Sequence, residues 1–174
     1  YIGDNQAETR PVYFGMINDW RIKNRARMVV VDPRRTVTAS KADTWLPIRP
    51  GTDMALALAM AGHILTCDLH DQKFCAEWVL GWELWRDFIL EKGYTPEWAE
   101  PLTGLPAGEI RALAEDVARA DGGVIFGSRG LNQHTNSVQT NRALMFLAAI
   151  TGNWGRKGGT YFNMTAGPPI APDA

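Results

Sequence analysis

The chain has 174 residues, of which 45% are hydrophobic and 21% charged, so it is long enough to bury a core of ordinary globular composition. Its net charge of −1 argues against nucleic-acid binding, which needs a clear basic surplus, although one local basic site is compatible with it. No apolar run approaches the roughly 18 residues of a membrane span, so we expect no direct membrane span.

The first half of the chain predicts two helices, a strand and an aromatic core region. Residues 19–27 are charged and precede the β-branched run 28–31, which suggests a helix that leads into a buried parallel strand. Residues 54–65 are apolar nearly all round, which indicates a helix buried on more than one side. Residues 71–98 carry aromatic side chains at helical spacing, which favours core packing over a cofactor site: Phe74, Trp78, Trp82 and Trp85.

The second half alternates helices with short strands. Residues 106–120 predict an amphipathic helix, residues 124–126 a short buried strand, residues 138–150 a helix, and residues 160–162 a last strand. The apolar stripe of the first of these helices consists of Ile110, Leu113, Ala114 and Val117. This alternation predicts an α/β fold with a Rossmann-like, mostly parallel sheet and helices on both faces over residues 1–165. The Pro- and Ala-rich residues 166–174 predict a linker or a frayed tail.

The first polar loop that we consider is IGDNQAETRP, at residues 2–11. Ligands of open parallel sheets bind outside the carboxyl ends of the strands, and Tyr1 and Ile2 resemble the end of a strand. Gly3 allows close backbone approach, whereas Asn5 and Glu8 offer hydrogen bonds from their side chains. The loop is therefore a candidate ligand site.

The second loop, DPRRT at residues 32–36, follows the predicted strand directly. Asp32 suits two N–H donors from a ribose or a base edge, and Arg34 and Arg35 suit a phosphate. Asp32 equally suits a turn that it caps and that Pro33 fixes. The spacing leaves both interpretations open.

The third loop, PGTD at residues 50–53, precedes the most helical segment. Thr52 or Asp53 is the expected N-cap of that helix. A free carboxylate at Asp53 equally suits the N1–H and N2–H of a guanine, and the two roles compete for the same oxygens.

The fourth loop, GSRGLNQHTN at residues 127–136, gathers Arg129, Asn132, Gln133 and His134, for which we expect ligand contact. The sequence has no Gly-x-Gly-x-x-Gly after a strand and no Walker A pattern, so ordinary dinucleotide or ATP binding is poorly supported. Cys67 and Cys75 are predicted to be ordinary semi-buried thiols. His63 and His70 are too scattered from His134 to form a metal motif.

Together these segments resemble the molybdopterin oxidoreductases of the dimethyl sulfoxide reductase family, which includes formate dehydrogenases, nitrate reductases and thiosulfate or polysulfide reductases. Residues 29–65 are similar to the family segment that joins a Rossmann-type strand to the next helix. Residues 127–159 resemble its glycine loop, helix and TGN-G-x-x-GG ending, and residues 2–11 resemble its G-x-N-x-A-E-x-x-P turn.

The resemblance implies a cofactor of two molybdopterin guanine dinucleotides (bis-MGD) around one molybdenum or tungsten. It implies that the second and third loops hold the ribose and guanine end, and that the first and fourth loops lie along the pterin. His134 and Arg129 would lie nearest the substrate. The residues that it implies for cofactor binding are Gly3, Asn5, Glu8, Asp32, Pro33, Arg34, Thr36, Gly51, Thr52, Asp53, Arg129 and Gln133.

The resemblance also implies that the chain is the middle portion of a larger catalytic subunit. The metal ligand, an N-terminal iron–sulfur (4Fe-4S) cluster and a C-terminal domain would lie in the rest of that subunit, so we expect no metal ligand or catalytic residue here and no activity from the chain alone. The intact enzyme would carry out two-electron redox of formate, an oxyanion or a sulfur compound. It would exchange electrons with an iron–sulfur subunit in anaerobic respiration, in a bacterial or archaeal cytoplasm or periplasm.

Three alternatives remain open at this stage. The chain suits a non-redox hydratase or transhydroxylase on the same scaffold, which would keep the loops and differ at the substrate pocket. It also suits a structural remnant without cofactor, although such a remnant should have degraded loops. A generic nucleotide-binding module is the third alternative.

Overall fold

The computed structural model describes residues 1–160. The predicted tail at residues 166–174 and residues 161 and 162 of the last predicted strand lie outside the described residues, whereas Thr160 forms a parallel bridge with Trp154. The elements in chain order are α1 (Gln6–Thr9), α2 (Pro11–Asn24), β1 (Val29–Val31), α3 (Val37–Ser40), β2 (Thr44–Leu46), α4 (Asp53–Thr66), α5 (Gln72–Trp78), α6 (Trp82–Lys92), α7 (Pro96–Thr103), α8 (Ala107–Arg119), α9 (Arg129–Asn132) and α10 (Ser137–Ile150).

A small parallel sheet forms beside the helices. β1 pairs with β2 in parallel, with Val31 opposite Leu46. Isolated parallel bridges join Ile2 to Val31 on one side and to Gly127 on the other. The carboxyl ends of all four segments therefore meet at the same edge.

The fold is helix-rich with this small parallel sheet, and a larger sheet with helices on both faces is not found among residues 1–160. The strand predicted at residues 124–126 is wrong as a regular strand. Its pairing within the described range consists of the bridge at Gly127 and a hydrogen bond of 2.8 Å from the Ile2 N–H to the Phe126 carbonyl. A regular strand needs a partner that pairs over several residues, and the segment beside it pairs here through Ile2 alone.

Helix α4 forms the centre of the core, as predicted for residues 54–65. It packs against α6, α7, α8 and α10, and Leu56 and Ile64 are fully buried. Gly62 lets the Tyr94 carbonyl approach the helix, because a Cβ at Gly62 would overlap that oxygen. Burial on several sides explains why the sequence of this helix is apolar nearly all round.

The amphipathic helix predicted at residues 106–120 is confirmed as α8, whose stripe residues Ile110, Leu113 and Ala114 are buried. The helix predicted at residues 138–150 is confirmed as α10. The helix predicted at residues 19–27 begins too late, because α2 starts with Pro11 in its first turn and ends before Arg25, which has a left-handed φ of 54°. None of the helices within residues 1–160 is both long and apolar enough to cross a membrane.

Two predictions about side-chain burial are wrong. Trp82 is buried at 8% exposure, but Trp78 is 73% exposed, because α5 ends at Trp78 and the extended Val79 breaks the helical spacing between the two rings. The two cysteines also differ, since Cys75 is buried and Cys67 is exposed, and both are free thiols.

Candidate functional site

The four polar loops of the sequence meet at the carboxyl edge of the small sheet. Gly3 follows the Ile2 bridge, Asp32 follows β1, and the glycine loop begins at Gly127, which pairs with Ile2. The loop before α4 joins this edge through a contact between Gly51 and His134. The edge is therefore a single surface built from four separate parts of the chain.

The first and fourth loops touch through two glycines. The Gly130 N–H donates to the Gly3 carbonyl at 3.0 Å. Gly3 has a left-handed φ of +57°, and a Cβ at Gly3 would lie 2.9 Å from the Gly130 Cα. Neither position leaves room for a larger residue, so the glycines fix how closely the two loops approach.

The first and second loops are joined through Asn5 and Thr38. The Thr38 hydroxyl donates to the Asn5 Oδ1 at 2.9 Å and accepts the Ala7 N–H at 2.9 Å. Thr38 is fully buried in α3, the helix that follows the second loop. The side chain of Asn5 is therefore held by the protein, whereas Glu8 is exposed.

The third and fourth loops meet at Gly51 and His134. Gly51 has a left-handed φ of +78°, and a Cβ there would lie 3.4 Å from the His134 Nδ1. The Asn136 side-chain amide also donates to the Met54 sulfur at 3.2 Å. These contacts bring the exposed imidazole of His134 beside the start of α4.

Asp32 forms the capped turn that its sequence allows. Its Oδ1 accepts the Arg34 N–H at 2.9 Å, and its backbone carbonyl accepts the Trp45 Nε1–H at 2.9 Å. Arg34 and Arg35 are exposed, and the Arg35 guanidinium lies 5.9 Å from the centre of the Trp45 ring. The turn therefore leaves both guanidinium groups available to an anion at the edge of the sheet.

The N-cap of α4 is Thr52, one of the two residues predicted for it, but its side chain makes no capping hydrogen bond. Its hydroxyl donates to the Arg49 carbonyl at 2.7 Å. Asp53 is instead the first helical residue and is 7% exposed. The carboxylate of Asp53 therefore does not occupy the N-cap position, and its hydrogen bond is with its own backbone N–H.

Burial dominates the electrostatics of Asp53. Desolvation raises the pKa of its carboxyl group above the usual range, while its own backbone N–H and the nearby His134 lower it, and the charge of Asp32 raises it. A buried carboxylate of this kind gains most from a ligand that donates hydrogen bonds to it. Asp32, Asp53 and His134 therefore form one electrostatically connected group.

The remaining predicted residues fall into two groups. Thr36 is buried and caps α3, since its Oγ1 accepts the Ala39 N–H at 3.1 Å. Pro33, Arg129 and Gln133 are exposed at the same edge. The structure thus places the hydroxyl of Thr36 in a structural bond and leaves the other three side chains open to solvent.

Asp4 and Gln6 are buried polar residues in the first loop that the sequence did not single out. They are 3% and 1% exposed, and the Gln6 Nε2 donates to the Asp4 Oδ2 at 2.6 Å. The Gln6 Oε1 has no hydrogen-bond partner within residues 1–160. The one sequence feature that could have predicted this burial is the position of both residues beside Gly3, in a turn that packs on the glycine loop.

The donor set of this surface suits an anionic, nucleotide-like ligand. Exposed guanidinium groups bind phosphates, and a buried carboxylate recognises the N–H edge of a base. No group of three or more histidine, cysteine, aspartate or glutamate side chains within residues 1–160 has the geometry of a metal site.

Comparison with known proteins identifies relatives over nearly the whole chain. The family model of molybdopterin oxidoreductase matches residues 1–173. The probable dimethyl sulfoxide reductase chain YnfF of Escherichia coli is 38% identical over 90% of this chain and 22% of its own length. Formate dehydrogenase H of Escherichia coli is 36% identical over 88% of this chain and 21% of its own length.

A solved structure of similar sequence has the same fold as this chain. Acetylene hydratase from Pelobacter acetylenicus superposes with a TM-score of 0.80 at 34% identity, over 87% of this chain and 20% of that protein. The chain thus spans about a fifth of the length of the relatives that it matches.

Proposed function

This chain belongs to the molybdopterin oxidoreductase family, and we propose that it is the part of a catalytic subunit that binds and orients a molybdopterin guanine dinucleotide. The observation that carries the proposal is the convergence of four loops at one sheet edge, where Gly130 donates to the Gly3 carbonyl at 3.0 Å and Gly51 lies beside His134. Such an edge is where open parallel sheets hold nucleotides. In the larger subunit, we propose that the small sheet is part of a Rossmann-like sheet with helices on both faces over residues 1–165.

The guanine end of the cofactor is assigned to Asp53. The carboxylate is buried, the N-cap position is held by Thr52 instead, and desolvation raises the pKa of the Asp53 carboxyl group. The N1–H and N2–H of guanine donate in parallel to the two oxygens of a carboxylate, which stabilises its charged form. Gly51 and Thr52 set the backbone that leads to it, and the turn at residues 32–36 lies against the ribose.

The phosphates and the pterin are assigned to the exposed parts of the edge. Arg34 supplies a guanidinium group for the diphosphate, and Arg129 lies along the pterin. Asn5, Glu8 and Gln133 supply amide and carboxylate groups for the polar rim of the pterin. The rigid first loop, in which Thr38 holds the Asn5 side chain at 2.9 Å, orients these groups before the ligand binds.

The bound cofactor, with its molybdenum or tungsten, would supply the two-electron chemistry of the intact subunit. The residues of this chain hold and orient it: Arg129 lies toward the substrate side, whereas the imidazole of His134 lies beside the loop that carries Asp53. We propose a parent enzyme that acts on formate, an oxyanion or a sulfur compound and exchanges electrons with an iron–sulfur subunit through a 4Fe-4S cluster. This chain alone would be inactive.

A hydratase is the second candidate function, and the likeness to acetylene hydratase favours it specifically. The same four loops would hold the same cofactor, so the assignments at Asp53 and Gly3 are unchanged. The two candidates differ in whether electrons leave the subunit. Turnover that requires an external electron donor or acceptor supports redox, whereas addition of water without any acceptor supports hydration.

The experiment that tests cofactor binding uses the full-length subunit, purified from a host that makes the cofactor. Metal and guanine nucleotide released on denaturation are quantified in the parent protein, in Asp53→Asn and in Glu91→Gln. Glu91 is an exposed carboxylate in α6, and its variant controls for loss of a negative charge. We expect two guanine nucleotides per metal atom in the parent protein and the control.

Asp53→Asn should contain less guanine nucleotide, because an amide presents N–H donors where guanine also presents donors. A folded parent protein that releases neither metal nor guanine nucleotide would contradict the proposal. It would leave a structural remnant without cofactor as the better account.

A further inference from the structure

A thiol, an imidazole and a carboxylate meet at the carboxyl-terminal end of α4, about 20 Å along the helix from Asp53. Cys67 follows His63 by four residues, so both side chains lie on the same face of the helix end. The Cys67 Sγ is 3.8 Å from the His63 Nδ1 and 3.9 Å from its Nε2. The Nε2 is in turn 3.2 Å from the Oε1 of Glu115, which belongs to α8. Two helices thus bring the three groups together outside the candidate site.

The carboxylate of Glu115 determines which nitrogen of His63 carries the hydrogen. An ionised carboxylate only accepts hydrogen bonds, so Nε2 is the donor, and Nδ1 of the neutral ring remains an acceptor for the Cys67 thiol. The Arg119 guanidinium lies 3.4 Å from the other carboxylate oxygen of Glu115. The imidazole is therefore oriented to take a proton from the sulfur, and Glu115 stabilises the charge that the ring then gains.

The two cysteines of the chain have opposite surroundings. The Cys67 thiol is exposed, whereas the side chain of His63 beside it is only 11% exposed. The sulfur is thus open to a reagent, while its base is held by packing and by a hydrogen bond. The Cys75 thiol is fully buried and donates to the Ile150 carbonyl at 3.9 Å.

The side chains of this cluster are not needed to end the helix. The Cys67 backbone N–H donates to the His63 carbonyl at 3.0 Å, and any residue at position 67 other than proline could make this bond. The cluster also lacks the geometry of a metal site, like every comparable group in the described part of the chain. Its arrangement is instead that of a nucleophile, a base and a group that orients the base.

We propose that Cys67 is a thiol modification site at which a peroxide oxidises the sulfur, with His63 as general base and Glu115 as positioning residue. The His63 Nδ1 takes the thiol proton, and the sulfur attacks one peroxide oxygen. An S–O bond forms and the O–O bond breaks, so the sulfur loses two electrons and the peroxide gains them. The leaving oxygen takes the proton from His63 and departs as water or an alcohol. The product is a sulfenic acid at Cys67.

The first test compares folded and denatured protein and is independent of the proposed cofactor. The intact subunit is treated with hydrogen peroxide and excess dimedone, which traps sulfenic acids, and peptide mass spectrometry gives the trapping rate at Cys67. We expect this rate to be about tenfold higher in the folded protein than in urea, where the thiol has no adjacent base. Trapping that is no faster in the folded protein would overturn the proposal.

The second test removes the base. His63→Gln keeps a polar side chain but cannot take a proton from the thiol, so trapping at Cys67 should slow about tenfold. Cys75 should stay unlabelled in both proteins, which shows that the variant is folded. An unchanged rate at Cys67 in a folded variant would overturn the proposal, and the comparison with urea decides the outcome if the variant does not fold.

A matched pair of carboxylate variants tests the positioning role of Glu115. Glu115→Gln keeps an oxygen that accepts the His63 Nε2–H but removes the charge, so trapping at Cys67 should slow about threefold. Glu109→Gln removes an exposed carboxylate from the same helix and should leave the rate unchanged. Equal rates in the two variants would show that Glu115 does not act on the thiol through His63, which overturns its assignment.

Discussion

Gly51 and His134 lie side by side at the candidate site, although they come from separate loops. A Cβ at Gly51 would lie 3.4 Å from the His134 Nδ1, and Gly51 has a left-handed φ of +78°. This position of Gly51 places the loop that carries Asp53 beside the glycine loop that carries Arg129. The relative position of these two loops, which form parts of the proposed cofactor site, thus depends on the absence of a side chain at Gly51.

The first prediction is that Gly51→Ala lowers cofactor content and stability together. The left-handed backbone costs an alanine about 1 kcal/mol, and the added methyl group fills the space beside the His134 imidazole at van der Waals distance. The measurement is guanine nucleotide content and thermal unfolding of the intact subunit.

Gly81→Ala is the matched control for this variant. Gly81 has a similar φ of +72°, but a Cβ there meets nothing within 4 Å. The control should lose similar stability and keep its cofactor. Equal cofactor content in both variants would show that the contact with His134 has no part in the site.

The second prediction concerns Gly130, whose φ is not left-handed. A Cβ at Gly130 would lie 2.6 Å from the Gly3 Cα, so Gly130→Ala forces two backbone segments apart. We expect a loss of about 1–3 kcal/mol in the free energy of unfolding, as for other overpacked sites. The measurement is chemical denaturation of the intact subunit.

Gly15→Ala is the control for this prediction, and it should change the free energy of unfolding in the opposite direction. Gly15 lies inside α2, where a Cβ meets nothing within 4 Å, so the alanine should stabilise the helix by about 1 kcal/mol. If Gly130→Ala leaves the free energy of unfolding unchanged or raises it, the first and fourth loops do not approach each other as closely as described.

Local signals in the sequence account for the loops but not for their contacts. The β-branched run before Asp32 predicts a strand end, and the turn at Gly51 precedes a strongly apolar helix, so both loops are visible in the sequence. The contacts Gly3–Gly130 and Gly51–His134 join residues that are far apart in the chain. No periodicity or spacing encodes such pairs, because they depend on how the elements pack.

The failures of prediction have the same origin. Asp4 and Gln6 look like ordinary polar loop residues, yet the packing of the first loop buries both. Trp78 continues a helical spacing in the sequence, but α5 ends there and the ring stays exposed. The cofactor itself follows only from family resemblance, since carboxylates and arginines at a sheet edge suit many nucleotides.

The third prediction is that Cys67 and Cys75 differ sharply in reactivity in the folded protein. Cys75 is fully buried, and burial raises the pKa of its thiol to about 11, whereas Cys67 is exposed. Because the thiolate is the reactive species, iodoacetamide at mildly alkaline pH should alkylate Cys67 alone. Peptide mass spectrometry of native and denatured samples measures this, and rapid labelling of Cys75 in the native sample would contradict its burial.

The last prediction is that Asp53 makes the cofactor-free protein less stable at neutral pH. Burial raises the pKa of the Asp53 carboxyl group in the folded state above its ordinary value. The unfolded chain therefore releases this proton at lower pH than the folded protein, and stability falls as pH rises through the folded pKa. Asp53→Asn removes this ionisation, so the cofactor-free variant should be more stable than the parent protein near pH 7.

The difference between the two proteins should shrink as pH falls below the folded pKa and become independent of pH about one unit below the ordinary aspartate pKa of about 3.9, where Asp53 is largely protonated in both the folded and the unfolded state. Urea denaturation of cofactor-free subunit over a range of pH measures it, with Glu91→Gln as the control for an exposed carboxylate. The same substitution lowers guanine nucleotide content under the proposed function, so stability and binding should change in opposite directions. If Asp53→Asn instead loses both stability and guanine nucleotide, Asp53 is a structural residue. A carboxylate retained only for a ligand should cost stability when the ligand is absent.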